Sequence, residues 1–333
     1  MTQITRRKTL ALIGAGATLP LAAPAIAQGR KITVGALRFT SHAASFVAVE
    51  RGYFPEADLD VDLRFFQAAQ PMAVAIASGD VDYAVTAISG GLISLADKGA
   101  IKVIGGALSE EPGTDGQKIL VSDEAFQAGV TDPSGLDGRS FGITQAGSSF
   151  HYMGSKIAEA ESATMSYRPL QKVGAIIGAI KSGQVDAWSI VPHIAKPLAA
   201  SGAVHIIGDV SDYLPNYQVT TVFTSTKNAS DERDMTMAFL AAFSRGIDDF
   251  NAAMIEKTGG QDEMVDIIHK YVYADRPRDK AAPSIINGSM RLNPNAALNV
   301  ASVEDQLDWF KSENLVPDVS LSTLLDQSYV EAT

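Results

Sequence analysis

Ala75-Ile76-Ala77-Ser78-Gly79-Asp80-Val81-Asp82-Tyr83-Ala84 returns further along the chain as Ala179-Ile180-Lys181-Ser182-Gly183-Gln184-Val185-Asp186-Ala187-Trp188, with six of the ten positions identical. Each copy reads as the end of a helix, a glycine, and then a strand. Gly79 and Gly183 stand where the helix stops, because the left-handed turn that ends a helix costs glycine nothing. Such αβ turns are common, so one copy decides little. Two copies predict two similar α/β lobes with one unit apiece.

Outward from the echo, the hydrophobic period alternates. Residues 31–37 are strand-like. Residues 45–53 read as a helix with Phe46, Val49 and Tyr53 on one stripe and Gly52 near its end. Residues 59–65 read as a strand again. This β-α-β alternation predicts parallel sheets covered by helices, the α/β class. In open parallel sheets, ligands gather beyond the carboxyl ends of strands. Those ends are Thr86-Ala87-Ile88-Ser89-Gly90-Gly91 after the first copy and Ser189-Ile190-Val191-Pro192-His193 after the second. Two lobes whose strand ends face each other make a cleft.

The order of segments places the junctions. Residues 101–107 are strand-like, 110–117 form a Gly/Pro/Asp-rich loop, and 119–121 start a new strand. The second copy comes next, then a β-branched strand at 218–224. Thereafter the chain turns helical at 231–255, 263–272, 302–315 and 321–330, with Val303, Leu307 and Phe310 on one stripe of the third segment. The second lobe, 117–223, is therefore an insertion between 28–116 and 224–333. Two crossings between lobes make a hinge.

The start of the chain carries Thr5-Arg6-Arg7-Lys8-Thr9-Leu10, an apolar, small-residue stretch over 11–24, and Ala25-Ile26-Ala27 before Gln28. A basic head, a short apolar middle and a small-x-small site define a secretory signal over 1–27. Its paired arginines resemble a twin-arginine signal, although Thr9 stands where that signal favours an aromatic or large apolar residue, so the general export route stays open. The apolar run is too short and glycine-rich to span a bilayer, which takes about 20 apolar residues. No cysteine stands after it, which excludes a lipid anchor. A soluble periplasmic protein is expected after cleavage.

The chain has 333 residues with 27 Lys+Arg against 38 Asp+Glu, an acidic balance that makes a poor nucleic-acid binder. Cysteine is absent, so disulfides, thiolate metal sites and cysteine nucleophiles are excluded together. The five histidines, His42, His151, His193, His205 and His269, show no paired ligand spacing, and no cofactor or metal is expected. Roughly 300 mature residues fit one large domain or two lobes.

The strongest candidate for ligand chemistry is Gly147-Ser148-Ser149-Phe150-His151, between a strand at 140–144 and a helix from about Tyr152. Free backbone N–H groups and hydroxyls at a helix start bind an anion without any cation. The same residues also make a plain N-cap. A serine nucleophile would need Gly-x-Ser-x-Gly, and the final glycine is missing. Gly14-Ala15-Gly16 lies in the signal and is no dinucleotide loop.

At these residues a family resemblance appears. Gly135-Leu136-Asp137-Gly138-Arg139-Ser140-Phe141-Gly142-Ile143 with Gly147-Ser148-Ser149 resembles a block of periplasmic solute-binding proteins. Ser182-Gly183-Gln184-Val185-Asp186-Ala187-Trp188 resembles their second block. Ala48, Glu50, Gly52, Tyr53 and Phe54 resemble their early helix. The chain is similar to the sulfonate, nitrate, taurine and pyrimidine-precursor group that serves ABC importers. The resemblance implies a two-lobed Venus-flytrap fold of type II, acting as a monomer that hands a small organic anion, a sulfonate or carboxylate, to a membrane permease and its ATPase. A pyrimidine-like ligand, or a sensing role at a membrane receptor, is the alternative. An enzyme of this fold uses a Cys-rich motif, which this chain lacks.

By motif, Thr40, Ser41 and His42 would sit at the lip of lobe one, and Thr86, Ile88 and Ser89 would face the cleft. Ser148, Ser149 and His151 would grip the acidic head. Trp188, Ser189 and Pro192 would form an apolar wall, with Tyr217 and Gln218 at the hinge. Trp188 and Tyr217 have a competing role as core residues. Arg38 would pair an acid or stay solvated at its strand end. His193 and His205 read as structural or surface residues.

Overall fold

The computed structural model describes residues 29–329; the leader expected at 1–27 lies outside them. The strands are β1 (Arg30–Ala36), β2 (Leu59–Phe65), β3 (Tyr83–Thr86), β4 (Ile101–Ser109), β5 (Lys118–Ser122), β6 (Ser140–Ile143), β7 (Ser166–Pro169), β8 (Ala187–Ile190), β9 (Val204–Asp209) and β10 (Gln218–Ser225). They form two five-stranded sheets, ordered β2-β1-β3-β10-β4 and β7-β6-β8-β5-β9. Helices cover both, so the class is α/β.

The two copies of the echo occupy the same place in their lobes. Each links a helix, Ala69–Ser78 or Val173–Lys181, to the third strand of its sheet. Gly79 has φ +79° and Gly183 has φ +70°, the left-handed stop that the sequence predicts. The carbonyl of Ala75 accepts from the N–H groups of Asp80 (2.9 Å) and Val81 (3.1 Å). The carbonyl of Ala179 accepts likewise from Gln184 (2.9 Å) and Val185 (3.3 Å). Val81 and Val185 are buried. The aspartate of each copy then ties its strand to the neighbour. Asp82 Oδ2 accepts from the Thr33 N–H of β1 at 2.8 Å. Asp186 Oδ2 accepts from the Ser140 N–H of β6 at 2.8 Å and from its hydroxyl at 2.6 Å.

The sheets are mixed, not wholly parallel. In the first, β2, β1 and β3 run parallel, and β10 is antiparallel to both β3 and β4. In the second, β7, β6 and β8 run parallel, and β5 is antiparallel to β8 and β9. Both reversed strands come directly after a crossing between lobes. A chain arriving from the other lobe enters the sheet from its cleft end and so runs backwards. β10 also moves the return boundary: 218–223, expected in the second lobe, belongs to a strand that pairs with β4 from Gln218 to Ser225 and with β3 over Thr221–Thr224. All of β10 but Ser225 is buried, as a central strand must be.

The C-terminal half is helical as expected, with Arg233–Met254, Gln261–Val272 and Val300–Ser312. Phe239 of the first stacks on Tyr83 at 4.1 Å and on Phe54 at 5.5 Å, which seats that helix against lobe one. Helix Arg278–Ile286 appears where the hydrophobic period predicts none, since Pro277 and Pro283 obscure the pattern. The helix expected at 321–330 is a single turn, Leu321–Leu324. Leu325 then bridges to Val103 of β4, and that extended contact ends the helix. Among the described residues no helix is long and apolar enough to cross a membrane.

Candidate functional site

A partly open cavity of about 50 Å³ lies where the two sheets' strand ends meet. From lobe one it is lined by Leu37, Phe39, Ser41 and His42 after β1, Ala68 and Ala69 after β2, and Thr86 and Ala87 at the end of β3. Lobe two contributes Thr144, Ser148, Ser149 and Phe150 after β6, Val173 after β7, and Ile190 and Val191 at the end of β8. Gln117 and, from β10, Val219 and Thr220 supply the hinge wall. None of these side chains carries a formal charge at neutral pH.

Helix starts converge on this space. Ala69–Ser78, Ser149–Ala160, Val173–Lys181 and Pro192–Ala200 all begin at lining residues or one residue beyond. Only Ser149–Ala160 has a side-chain cap, the Ser148 hydroxyl accepting from His151 N–H at 3.4 Å. The caps of the other three, Ala68, Lys172 and Val191, leave their first turns without a side-chain acceptor. The positive ends of the helix dipoles make a neutral wall attractive to negative charge.

Of the residues singled out from sequence, Ser41, His42, Thr86, Ser148 and Ser149 come together at the cavity. His42 is buried and accepts the Leu37 N–H on Nδ1 at 3.3 Å. Burial pushes its pKa down to about 3, because the cavity wall cannot solvate the imidazolium.

The structure does not bring the others to the cavity. Thr40 turns to the lobe seam, with Oγ1 3.0 Å from His193 Nδ1. Ser89 caps helix Gly90–Asp97, accepting from Leu92 N–H at 3.2 Å. His151 accepts the Gly147 N–H at 3.2 Å and lies edge-on to Trp309. Trp188 is fully buried, edge-on to Phe150, and does not line the cavity. Ser189 is buried within β8. Tyr217 packs on Tyr152 at 5.2 Å. Gln218 braces the hinge, donating to the carbonyls of Leu108 (3.0 Å) and Thr220 (2.8 Å) and accepting from Asn299 N–H (2.8 Å). Arg38 donates to the Tyr271 carbonyl at 2.6 Å over the Phe65 ring, and His205 pairs with Asp123 at 2.7 Å.

Several lining residues carry no expectation from sequence. Phe150 sits inside the Gly-Ser-Ser-Phe-His motif and Thr144 ends the strand before it, so both are within reach of local reading. Phe39, Gln117 and Thr220 reach the cavity only through tertiary folding, and no local pattern marks them.

Both flanks of the cleft are joined. On one, helix Pro192–Ala200 meets lobe one. Tyr273 donates to the His193 carbonyl at 2.9 Å, and Lys196 donates to the Asn287 carbonyl at 2.6 Å. Gly288 lies so close to the His193 backbone that a Cβ there would overlap it. On the other, Gly90 N–H donates to the Gly147 carbonyl at 2.9 Å, and Asp305 receives Lys156 at 3.0 Å and the Tyr152 hydroxyl. This is a closed arrangement. The two crossings behind it run side by side, with Glu110 N–H donating to the Tyr217 carbonyl at 2.8 Å. Glu110 is buried there, accepting from Gln117 N–H at 3.1 Å, and burial pushes its carboxyl up to about 7.

Two α/β lobes on a double crossing, closed over a neutral cavity at their strand ends, define a bilobal protein of the periplasmic binding protein fold. Within that class, a family model described as NMT1/THI5 like matches residues 39–268, and the chain belongs to that family. Among solved structures, it is similar to the alkanesulfonate-binding protein SsuA from Xanthomonas axonopodis pv. citri bound to MOPS. The TM-score is 0.69 at 14% identity, covering 92% of this chain and 99% of that one. The periplasmic aliphatic sulphonate binding protein SsuA from Escherichia coli gives a TM-score of 0.68 at 17% identity, covering 89% and 97%. The periplasmic nitrate-binding protein NrtA from Synechocystis PCC 6803 gives 0.69 at 10% identity, covering 89% and 84%. No curated protein matches the chain by sequence.

Proposed function

We propose that this protein is the solute-binding component of an ABC import system, working in the periplasm and capturing a small organic anion, a sulfonate or a carboxylate, for a membrane permease. The observation that carries this is the convergence of helix starts and hydroxyls on an uncharged cavity between two hinged lobes. Dipoles and N–H groups hold the acid without a cation. Phe39, Phe150, Leu37, Ile190 and Val191 select the rest of the ligand by shape. Closure buries the ligand, and the closed outline is what a permease reads. The function is binding without chemistry: the sequence has no cysteine, and the cavity's histidine is neutral and committed through Nδ1.

The two phenylalanines among the lining residues, Phe39 and Phe150, also favour a second ligand class, a flat nitrogenous ring of the pyrimidine type. A thermal-shift screen of the purified mature protein tests both. We expect a rise in unfolding temperature with at least one small sulfonate or carboxylate. Stabilisation by pyrimidines alone moves the assignment to the second class, and no shift across the whole panel overturns the binding function.

A further inference from the structure

His193 is a titratable group that the cavity does not use, and it stands where the lobes meet. It is the second residue of helix Pro192–Ala200 in lobe two, yet lobe one wraps it. Thr40 Oγ1 lies 3.0 Å from Nδ1 and also reaches the Gly288 carbonyl at 3.4 Å. Phe39 stands edge-on to the ring with centroids 5.3 Å apart, and Tyr273 does so at 6.2 Å. The residue is 1% exposed, and Nε2 is buried with no partner among the described residues. The neutral ring fits this seam, with Nδ1 paired to Thr40. An imidazolium does not, because both nitrogens then donate and Nε2–H finds neither acceptor nor water. The surrounding charges act in the same sense. Arg38 and Arg276 from lobe one and Lys181 from lobe two line the groove that His193 shares with Tyr273, and no carboxylate lines it. His42 adds a second imidazole on the lobe-one side, and Lys196, on the same helix as His193, is paired with Asp115. Helix Arg278–Ile286, which packs on that helix, carries Arg278, Asp279 and Lys280 in its exposed first turn. Burial, with His42 adding to it, pushes the His193 pKa down to about 3.

We propose that closing the lobes requires a neutral His193: unprotonated it latches onto Thr40, and a proton on it holds the lobes apart. Opening withdraws Thr40, Phe39, Tyr273 and Gly288 together, since all four belong to lobe one, and returns the ring to water. There it regains an ordinary histidine value, held slightly below about 6.5 by the positive start of its helix. Proton binding and closure then compete, so acid weakens ligand capture without the proton touching the ligand. The proposal rests on the solute-binding function, in which the lobes open and close, and adds to it a condition for release.

Two experiments decide it. Titration calorimetry with ethanesulfonate and benzenesulfonate, which stay ionised throughout, should show affinity roughly four- to tenfold weaker at pH 5.5 than at pH 7.5. H193N keeps an acceptor where Nδ1 stands but takes no proton, and should flatten that profile. A fall that survives H193N overturns the assignment to His193, and no fall in the wild type overturns the coupling. The second experiment needs no ligand. The chain has no cysteine, so K156C and D305C, whose native side chains meet across the opposite flank, can be joined by a short bis-maleimide that holds the lobes shut. Histidine proton–nitrogen spectra, with H193N used to assign the signal, should show His193 neutral down to pH 5 in the joined protein. In the unjoined protein it should titrate at about 6 to 6.5. Equal behaviour of the two forms overturns the proposal. Silence from both sulfonates counts against a sulfonate ligand, while the spectra still decide His193.

Discussion

The two copies of the echo share a skeleton and differ in the residues just beyond it. In both, an alanine carbonyl takes two N–H groups, a glycine turns left-handed, a valine enters the core, and an aspartate ties the strand to its neighbour. Past the first copy, Thr86 and Ala87 open directly onto the cavity. Past the second, Ile190 and Val191 give only apolar wall, and the chain runs on to His193, which leaves the cavity for the seam with Thr40. One copy ends at the cavity and the other at the seam between the lobes. The repeat specifies how a helix hands over to a strand. The role of each lobe is specified downstream of it, where the copies diverge.

The largest effect should come from wedging the closure side. Gly288→Ala places a methyl against the His193 backbone, which cannot retreat as a flexible side chain would. We expect probe affinity to fall about a hundred-fold or more while the ligand-free unfolding temperature holds, since open lobes relieve the clash. Calorimetry and small-angle scattering check this, and wild-type binding would detach His193 from closure.

Next comes pH. Glu110, on the crossing between the lobes, keeps its proton in the folded state up to about 7 but loses it near 4.5 when unfolded. The folded state therefore binds the extra proton between those values, and stability falls as pH rises through them. Glu110→Gln should match wild type near pH 4 and exceed it at pH 8 by up to about 3 kcal/mol in urea denaturation. His42 and His193, one per lobe, act in the opposite sense. Burial pushes both down to about 3, so the unfolded state binds their protons first and stability rises with pH until the ordinary histidine range near 6.5. Two histidines outweigh one carboxyl, so the combined contribution peaks near pH 6.5. A wild-type profile that climbs steadily through pH 8 contradicts the Glu110 contribution.

The smallest effect separates the two aspartates. Asp186 holds two donors of Ser140, while Asp82 holds the single Thr33 N–H. Asp186→Ala should cost about 2–3 kcal/mol and Asp82→Ala about 1–2 kcal/mol by denaturation. A reversed order would show that the copies differ inside the repeat as well as beyond it.

Much of this architecture was legible along the chain. Gly79 and Gly183 marked their turns because left-handed backbone is a local demand. β2 spans the residues that its alternation marked. The direction of β5 and β10 was hidden, because a reversed strand has the same side-chain period as a parallel one. Ser148 and Ser149 could be picked out because they sit at a strand–helix turn. Trp188 looked like a ligand wall, but the sequence could not show that Phe150 lines the cavity while Trp188 is buried beside it. Thr220 lies in a strand buried on both faces, and only its place between the lobes distinguishes it from Thr221.

The place of β10 has a consequence for the order of assembly. It fills the gap between β3 and β4, so the first sheet stays incomplete until the whole inserted lobe has left the ribosome. Holding that gap open across about a hundred unstructured residues would cost roughly 4 kcal/mol of chain entropy. A lobe that folds first removes most of that cost, because its two ends emerge side by side at Glu110 and Tyr217. The inserted lobe is then the template on which the outer one finishes, although its own sequence comes second.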